Sequence, residues 1–332
     1  MLPRGRVVDT SGLRYNAPDM PGLREQLRSA LRSDSALWRR ALLAGVHHGP
    51  DFWVRYSPPA IGALFAALLP DKRRLVERNL QRILGPRPPA TALRDATAVF
   101  STYASCLTEA LLLASGRGYT LQSRAFGAEH YHAAAAPRRG VILATAHTGG
   151  WDLAGQILRD LHPADVVVVM QRERDPAARA LQDEARARAG ITVVHAGDDP
   201  LDALPLLAHL RRGAVVALQI DRAPPLIRAR EVSLFGAPFR CPEGPLTLAA
   251  LSGAPIFPVF TRRLGFLHYE AVASPPIWLP RRPTEAQRDA AATTMVAAME
   301  TFLRDNPTQW FHFVEDGFAH DSAVDDAPTR RP

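Results

Sequence analysis

Apolar positions first recur at helical spacing from Leu23 past Trp38 to about Leu43, after a lead over residues 1–20 that lacks any such period. Residues three and four apart share one face of a helix, so this spacing predicts an amphipathic helix. Residues 51–69 carry Phe52, Trp53, Ile61, Leu64, Phe65, Leu68 and Leu69. They predict a helix that either packs on the core or touches lipid or an acyl chain. The charged run DKRRLVERNLQRIL (71–84) sets Leu75, Val76, Leu80, Ile83 and Leu84 among charges and stops at Gly85 and Pro86. A further helix, with Phe100 and Tyr103, is expected over 90–115.

Past about residue 130 the period changes. Short apolar runs read as strands: GVILATAH (140–147), ADVVVVMQR (164–172), ITVVHAG (191–197), AVVALQID (214–221), PIFPVFTRR (255–263) and FLHYEAV (266–272). Helical stretches separate most of them, at 149–161, 175–190, 199–213 and 245–252, and a last helix is expected from about Thr284 to Asn306. Residues 222–244 form an irregular loop with a hairpin-like insertion. Apolar strands alternating with helices predict an α/β fold: a central, mostly parallel or mixed sheet covered by helices on both faces, with a helical N-terminal region. The expected organisation is a flexible lead (1–20), a helical region packed on the core (21–130), an α/β core (131–318) and a disordered tail (319–332).

Composition narrows the chemistry. The net charge is +7, and one of the 40 basic residues, Lys72, is a lysine. A basic surface attracts anionic partners such as phospholipid headgroups or an acidic carrier protein. There is no GxxxxGK[ST] loop, which excludes a Walker-type NTPase. Cys106 and Cys241 form no CxxC pair, so neither a zinc framework nor a disulfide scaffold is expected, and two isolated buried thiols are. The histidines His47, His48, His130, His132 and His195 show no metal-ligand spacing. The N-terminus lacks a signal-peptide core, and the apolar run Ala60–Leu69 is too short to span a bilayer. Membrane contact is therefore expected to be peripheral. The arginines are dispersed and no recognition module is present, so nucleic acid is not an expected partner.

The stretch HTGGWD carries the candidate chemistry. His147 falls at the C-terminal end of a predicted strand, Gly149 and Gly150 permit a tight turn, and Asp152 enters the next helix. Sites of open α/β sheets are built at such strand ends. A carboxylate on one imidazole nitrogen fixes the tautomer, and the other nitrogen can then take a proton from a hydroxyl. The glycines leave backbone N–H groups open for an anion or a developing oxyanion. Arg172, Arg222 and Arg240 lie at strand ends or in the loop, where each is either a phosphate ligand or a surface ion pair. Asp221 is a second carboxylate behind the site, a ligand of the acceptor hydroxyl, or a cap. No GxSxG elbow occurs, and neither cysteine has an evident histidine partner, so no serine or cysteine nucleophile is expected.

ILATAHTGGWDLAG resembles the HxxxxD/E block of the lysophospholipid acyltransferase superfamily, in its branch of lipid A lauroyl/myristoyl acyltransferases. KRRLVERNLQRIL is similar to the arginine-rich helix upstream of that block. VVVMQRERDP is similar to the following strand, with Arg172 as its closing arginine, and VVALQID to a strand ending in an Asp-Gln-Asp element, with Asp221 last. VSLFGAPFRCPEGPLTLAALSGAPIFPVF and NPTQWFHFVEDGF resemble later blocks in the same order. The resemblance spans about residues 71–318. It implies that His147 is a general base oriented by Asp152, with Gly149, Gly150, Arg172, Asp221, Arg222 and Arg240 as substrate-binding residues. It also implies an acyl-ACP or acyl-CoA co-substrate, a lipid or glycolipid acceptor, no permanent cofactor and no metal. The implied location is the cytoplasmic face of the inner membrane, held peripherally, with a soluble pool.

The sequence departs from the branch at Asp152, where Glu is commoner, at Gln219 and Ile220 in the Asp-Gln-Asp element, and at Glu315 and Asp316 in place of a basic pair. These changes bear on the acceptor more than on the chemistry. Two other readings stay open: acylation of a specialised metabolite of polyene or polyketide type, and a non-catalytic protein that binds acyl chains or anionic membrane.

Overall fold

A computed structural model describes residues 36–161, 165–171, 192–196, 203–224, 227–314 and 318. Contacts divide the described residues into two units at Leu42/Leu43. Helix α1 covers Ala36–His48, followed by α2 (Asp51–Leu68), α3 (Pro70–Leu84) and α4 (Pro89–Ala114). Helix α2 contains Pro58 and Pro59 in its interior. It lies so close to α4 that a Cβ on Gly62 would fall 2.4 Å from the Phe100 carbonyl oxygen. By length and composition α4 is apolar enough to cross a membrane, which the apolar run Ala60–Leu69 had not suggested. Its buried residues, among them Ala96, Val99, Phe100 and Leu112, also suit a core helix.

The remaining elements are β1 (Gln122–Phe126), α5 (Ala128–Ala135), β2 (Val141–Thr145), α6 (Ala154–Leu161), β3 (Val166–Gln171), β4 (Thr192–Ala196), α7 (Ala203–Arg211) and β5 (Val215–Gln219). They continue with β6 (Ala229–Leu234), β7 (Ala237–Pro242), α8 (Gly244–Ser252), β8 (Ile256–Gly265), β9 (His268–Ala273) and α9 (Glu285–Asp305). A capping box starts α9: the Gln287 amide donates to the Thr284 hydroxyl and the Thr284 amide to Gln287 Oε1. Arg172 and the helix expected over 175–190 lie outside the described residues.

Seven strands form one sheet in the order β1-β9-β8-β2-β5-β3-β4. All neighbours are parallel except β8 and β9, which form an antiparallel pair. Strands β6 and β7 make a separate hairpin, the insertion expected in the 222–244 loop. The mixed, mostly parallel sheet with helices on both faces is the expected fold class. Strand period divides the core. Ile142, Ala144, Val216, Ile256 and Phe260 face α7, α8 and α9, with Leu210, Leu246, Met295 and Met299 packed over them. Val141, Leu143, Val215, Ala217 and Phe257 face the other way, under Tyr131 and Ala134 of α5 and Leu158 of α6. A third cluster joins Val76, Leu80, Val99 and Phe100 to Ile157, Tyr269 and Phe311, and so ties the N-terminal helices to the sheet end that carries HTGGWD.

Candidate active site

The site begins with a register. Strands β2 and β5 are parallel neighbours in which Thr145 pairs with Gln219, and the Ile220 amide donates to the Thr145 carbonyl at 2.8 Å. His147 and Asp221 therefore leave the same edge of the sheet side by side, although 74 positions separate them in sequence. His147 Nδ1 stands 2.9 Å from Asp221 Oδ1, and the His147 backbone amide donates to Oδ2 at 3.2 Å. Asp221 is fully buried, and the His147 side chain is 13% exposed. Asp221 is thus a carboxylate held on one imidazole nitrogen.

The segment after the Pro307–Gln309 turn closes the back of this pair. The Trp310 indole N–H donates to Asp221 Oδ2 at 3.0 Å, and the Phe311 amide donates to the His147 carbonyl at 2.7 Å. Thr148 and Trp310 form an isolated antiparallel bridge. Arg222 donates to the Phe311 carbonyl at 2.8 Å. From the other side, Asn79 of α3 donates to the His312 carbonyl at 3.2 Å, and Lys72 donates to the Phe313 carbonyl at 2.8 Å.

Burial pulls the His147 imidazole below its ordinary value; the Asp221 charge opposes this and Arg222 adds to it. The imidazole is therefore neutral at neutral pH. Burial by itself would raise Asp221, but the imidazole of His147, followed by His312 and Arg222, holds the carboxyl well below the usual carboxylate range. An ionised Asp221 can only accept, so the shared proton sits on Nδ1 and Nε2 carries the lone pair. That is the tautomer a base needs.

The turn in front of the pair has little freedom. Gly150 has φ +81°, and a Cβ there would fall 2.3 Å from the Tyr269 ring. A Cβ on Gly149 would meet Gln309 Oε1, which accepts from the Arg263 amide at 2.6 Å while Gln309 Nε2 donates to the Arg263 carbonyl. Behind Gly150 lies a buried network. Glu109 accepts from Arg263 at 2.7 and 2.9 Å, from the Tyr269 hydroxyl at 2.7 Å and from the Leu267 amide at 3.0 Å. Burial raises the Cys106 thiol to about 12, and the neighbouring Tyr269 hydroxyl opposes the rise. The glycines are required by close approach as much as by the turn. Gly150→Ala should lower stability by about 1–3 kcal/mol, the usual cost of overpacking, and thermal unfolding will read it.

Asp152 lies in the short 3-10 turn Trp151–Leu153 and borders a small, shallow cleft, together with Tyr103, Cys106, Leu107, Trp151 and Phe311. The Trp151 ring meets the His147 ring edge-on, with centroids 5.2 Å apart. A larger groove between α3 and the start of α4, lined by Arg74, Arg78, Arg87, Asp71 and Asp95, shares no residue with the pair and mixes both charges.

The other sequence candidates separate by contact. Arg222 stays beside His147, and its Nε is buried without a hydrogen-bond partner among the described residues. Arg240 binds the carbonyls of Ala223 and Ile227, so it braces the loop that follows Asp221. Both cysteines are buried and free. Glu109, Tyr269 and the ring of Trp310 carried no signal in the sequence as site residues, because each reaches the turn from a distant element.

The family described as bacterial lipid A biosynthesis acyltransferase matches residues 31–315. A phosphatidylinositol mannoside acyltransferase of Mycobacterium tuberculosis is 29% identical over 232 residues, which cover 67% of this chain and 72% of the relative. One of the same name from Mycolicibacterium smegmatis is 30% identical over 203 residues, 60% of this chain and 65% of the relative.

Proposed function

Because the chain belongs to the bacterial lipid A biosynthesis acyltransferase family, we propose that it moves a fatty acyl chain from an acyl-ACP or acyl-CoA thioester to a glycolipid hydroxyl, with His147 as general base. The observation that carries this is the Nδ1 bond to ionised Asp221, which leaves Nε2 as the basic nitrogen. The acceptor hydroxyl gives its proton to Nε2 as its oxygen attacks the thioester carbonyl carbon. The tetrahedral intermediate collapses, the C–S bond breaks, and the imidazolium returns the proton to the leaving thiolate. An ester and a free thiol result, with no acyl-enzyme. Asp221 stabilises the imidazolium while it exists. Arg222 offers its unused Nε–H near the developing negative charge.

Asp152, Gly149 and Gly150 form the front of the same site. Asp152 follows His147 in the same turn, where a carboxylate can orient the acceptor or act with Asp221 on the imidazole. Arg172 and Arg240 are proposed to serve anionic substrate groups, Arg240 by shaping the loop it braces. The names of the relatives make a mannosylated phosphoinositide the first acceptor to test. The place of work we propose is the cytoplasmic face of the inner membrane. Helix α2 exposes Phe52, Trp53, Tyr56, Leu64 and Leu68, an apolar row with interfacial aromatics, on a chain of net charge +7.

The test is transfer from acyl-ACP and from acyl-CoA to a panel of glycolipids, phospholipids and polyketide alcohols, read by product mass. Ester formation on the glycolipid is expected. Gain of a chain only by the polyketide alcohols would move the assignment to specialised metabolism, and liposome binding without turnover on any donor would leave a binding protein. The pH profile is a second check. The base must be unprotonated, so kcat/KM should fall as pH drops, with an acid limb below about 6.5, the ordinary histidine value. An acid limb above that value would contradict a buried, neutral His147.

A further inference from the structure

We propose that Trp310 is a positioning residue for the transfer reaction: its indole N–H holds one oxygen of Asp221 so that the other stays on His147 Nδ1. The proposal rests on reading His147 as the base. A carboxylate turns easily about its last bond, whose torsion is broad. One contact through Oδ1 would leave the plane of Asp221 free to rotate away from the imidazole. Two donors on Oδ2 prevent this, the His147 amide at 3.2 Å and Trp310 Nε1 at 3.0 Å. The first belongs to the residue being oriented, whereas Trp310, with the His312 ring beside it, ties the carboxylate to a separate part of the fold. The indole nitrogen is a donor only and takes no part in proton traffic.

Trp310 is itself held fast. It is buried, its neighbour Phe311 is tied to the His147 carbonyl, and the bonds from Asn79 and Lys72 anchor the two following residues to α3. The charged helix DKRRLVERN, far from His147 in sequence, thereby bears on the orientation of the base. The other charged or titratable groups facing the pair are Arg222, and His312, whose ring lies 4.7 Å from that of Trp310 and whose Nδ1 is 3.8 Å from Asp221 Oδ2. Asp152 follows in the same turn.

The deciding variant is Trp310→Phe, which keeps an aromatic ring in the core and removes the N–H. With hexadecanoyl-CoA and a mannosylated phosphoinositide, or whichever donor and acceptor the panel selects, kcat should fall about tenfold, the scale of one hydrogen bond to a charged group, while KM changes less than about twofold. NMR titration of the His147 ring should show protonation at a lower pH, because a carboxylate free to turn away from Nδ1 attracts the imidazolium less strongly. In an Asp221→Asn background the same change should cost less than about twofold. A folded Trp310→Phe protein with wild-type kcat and an unmoved His147 titration overturns the proposal, as does a full tenfold loss in the Asp221→Asn background. His147→Ala separates the two levels. If it stays fully active, the base assignment fails and the proposal with it; if it is inactive while Trp310→Phe behaves as wild type, only the role of Trp310 fails. Should Trp310→Phe not fold, Asn79→Ala loosens the same segment from outside, and the same signature at smaller amplitude is expected; an unchanged kcat and titration there overturns the proposal.

Discussion

His147→Ala should reduce acyl transfer by about 10²–10⁴-fold, the usual contribution of a positioned general base, with thermal stability close to wild type. The variant loses the nitrogen that accepts the hydroxyl proton but leaves the backbone bonds of His147 in place, from its amide to Asp221 and from Phe311 to its carbonyl. Asp221→Asn should lose on the order of 10²-fold or more, because an amide can present its NH₂ to Nδ1 and favour the wrong tautomer. Asp152→Asn is expected to cost less, since Asp221 already holds Nδ1. Single-turnover rates at saturating donor will rank the three. A loss in Asp152→Asn equal to that in Asp221→Asn would assign both carboxylates to the imidazole. Full activity in His147→Ala would remove the proposed mechanism.

The largest stability effect should come from Glu109→Ala. Glu109 sits on α4, is nearly inaccessible, and receives four donors: two from Arg263 and one each from Tyr269 and the Leu267 amide. Breaking a buried pair on one side typically costs 3–5 kcal/mol, because the remaining charge stays desolvated. The Arg263 side chain is 20% exposed, so solvent screens part of that loss and about 3 kcal/mol is expected. Denaturant unfolding is the measurement, and a loss below about 1 kcal/mol would mean that water replaces the carboxylate without penalty. Activity should fall as well, since the Tyr269 ring that braces Gly150 is released from its hydroxyl partner. Glu109→Gln keeps the shape and an acceptor for Tyr269, and should recover part of both losses.

Most strands and helices could be read before any coordinates, because their signals are local. VILAT and VVALQ are apolar on both faces of a covered sheet, and DKRRLVERNLQRIL has one apolar stripe. Strand β1 was the exception. QSRAF alternates exposed with half-buried residues at the sheet edge, so it lacks an apolar run and falls inside a region that reads as mostly helical. Helix α2 crosses Pro58 and Pro59, which as residues signal a break; its tight packing on α4 at Gly62 outweighs the missing amides.

The sequence by itself determined the α/β class, the strand–turn–helix that presents His147, and the tight turn that Gly149 and Gly150 permit. All of these follow from spacing over a few residues. Tertiary structure alone decided which carboxylate meets the imidazole. Asp152 is five residues away along the chain and Asp221 is 74, yet the parallel register of β2 with β5 delivers Asp221 to Nδ1 at 2.9 Å. Pairing across a sheet depends on which strands become neighbours, and nothing in HTGGWD encodes that. The same holds for Trp310 and Glu109, brought to the site by the C-terminal segment and by α4. His147 could be singled out because it lies on a local motif, whereas the residues around it could not, because they come from the whole fold.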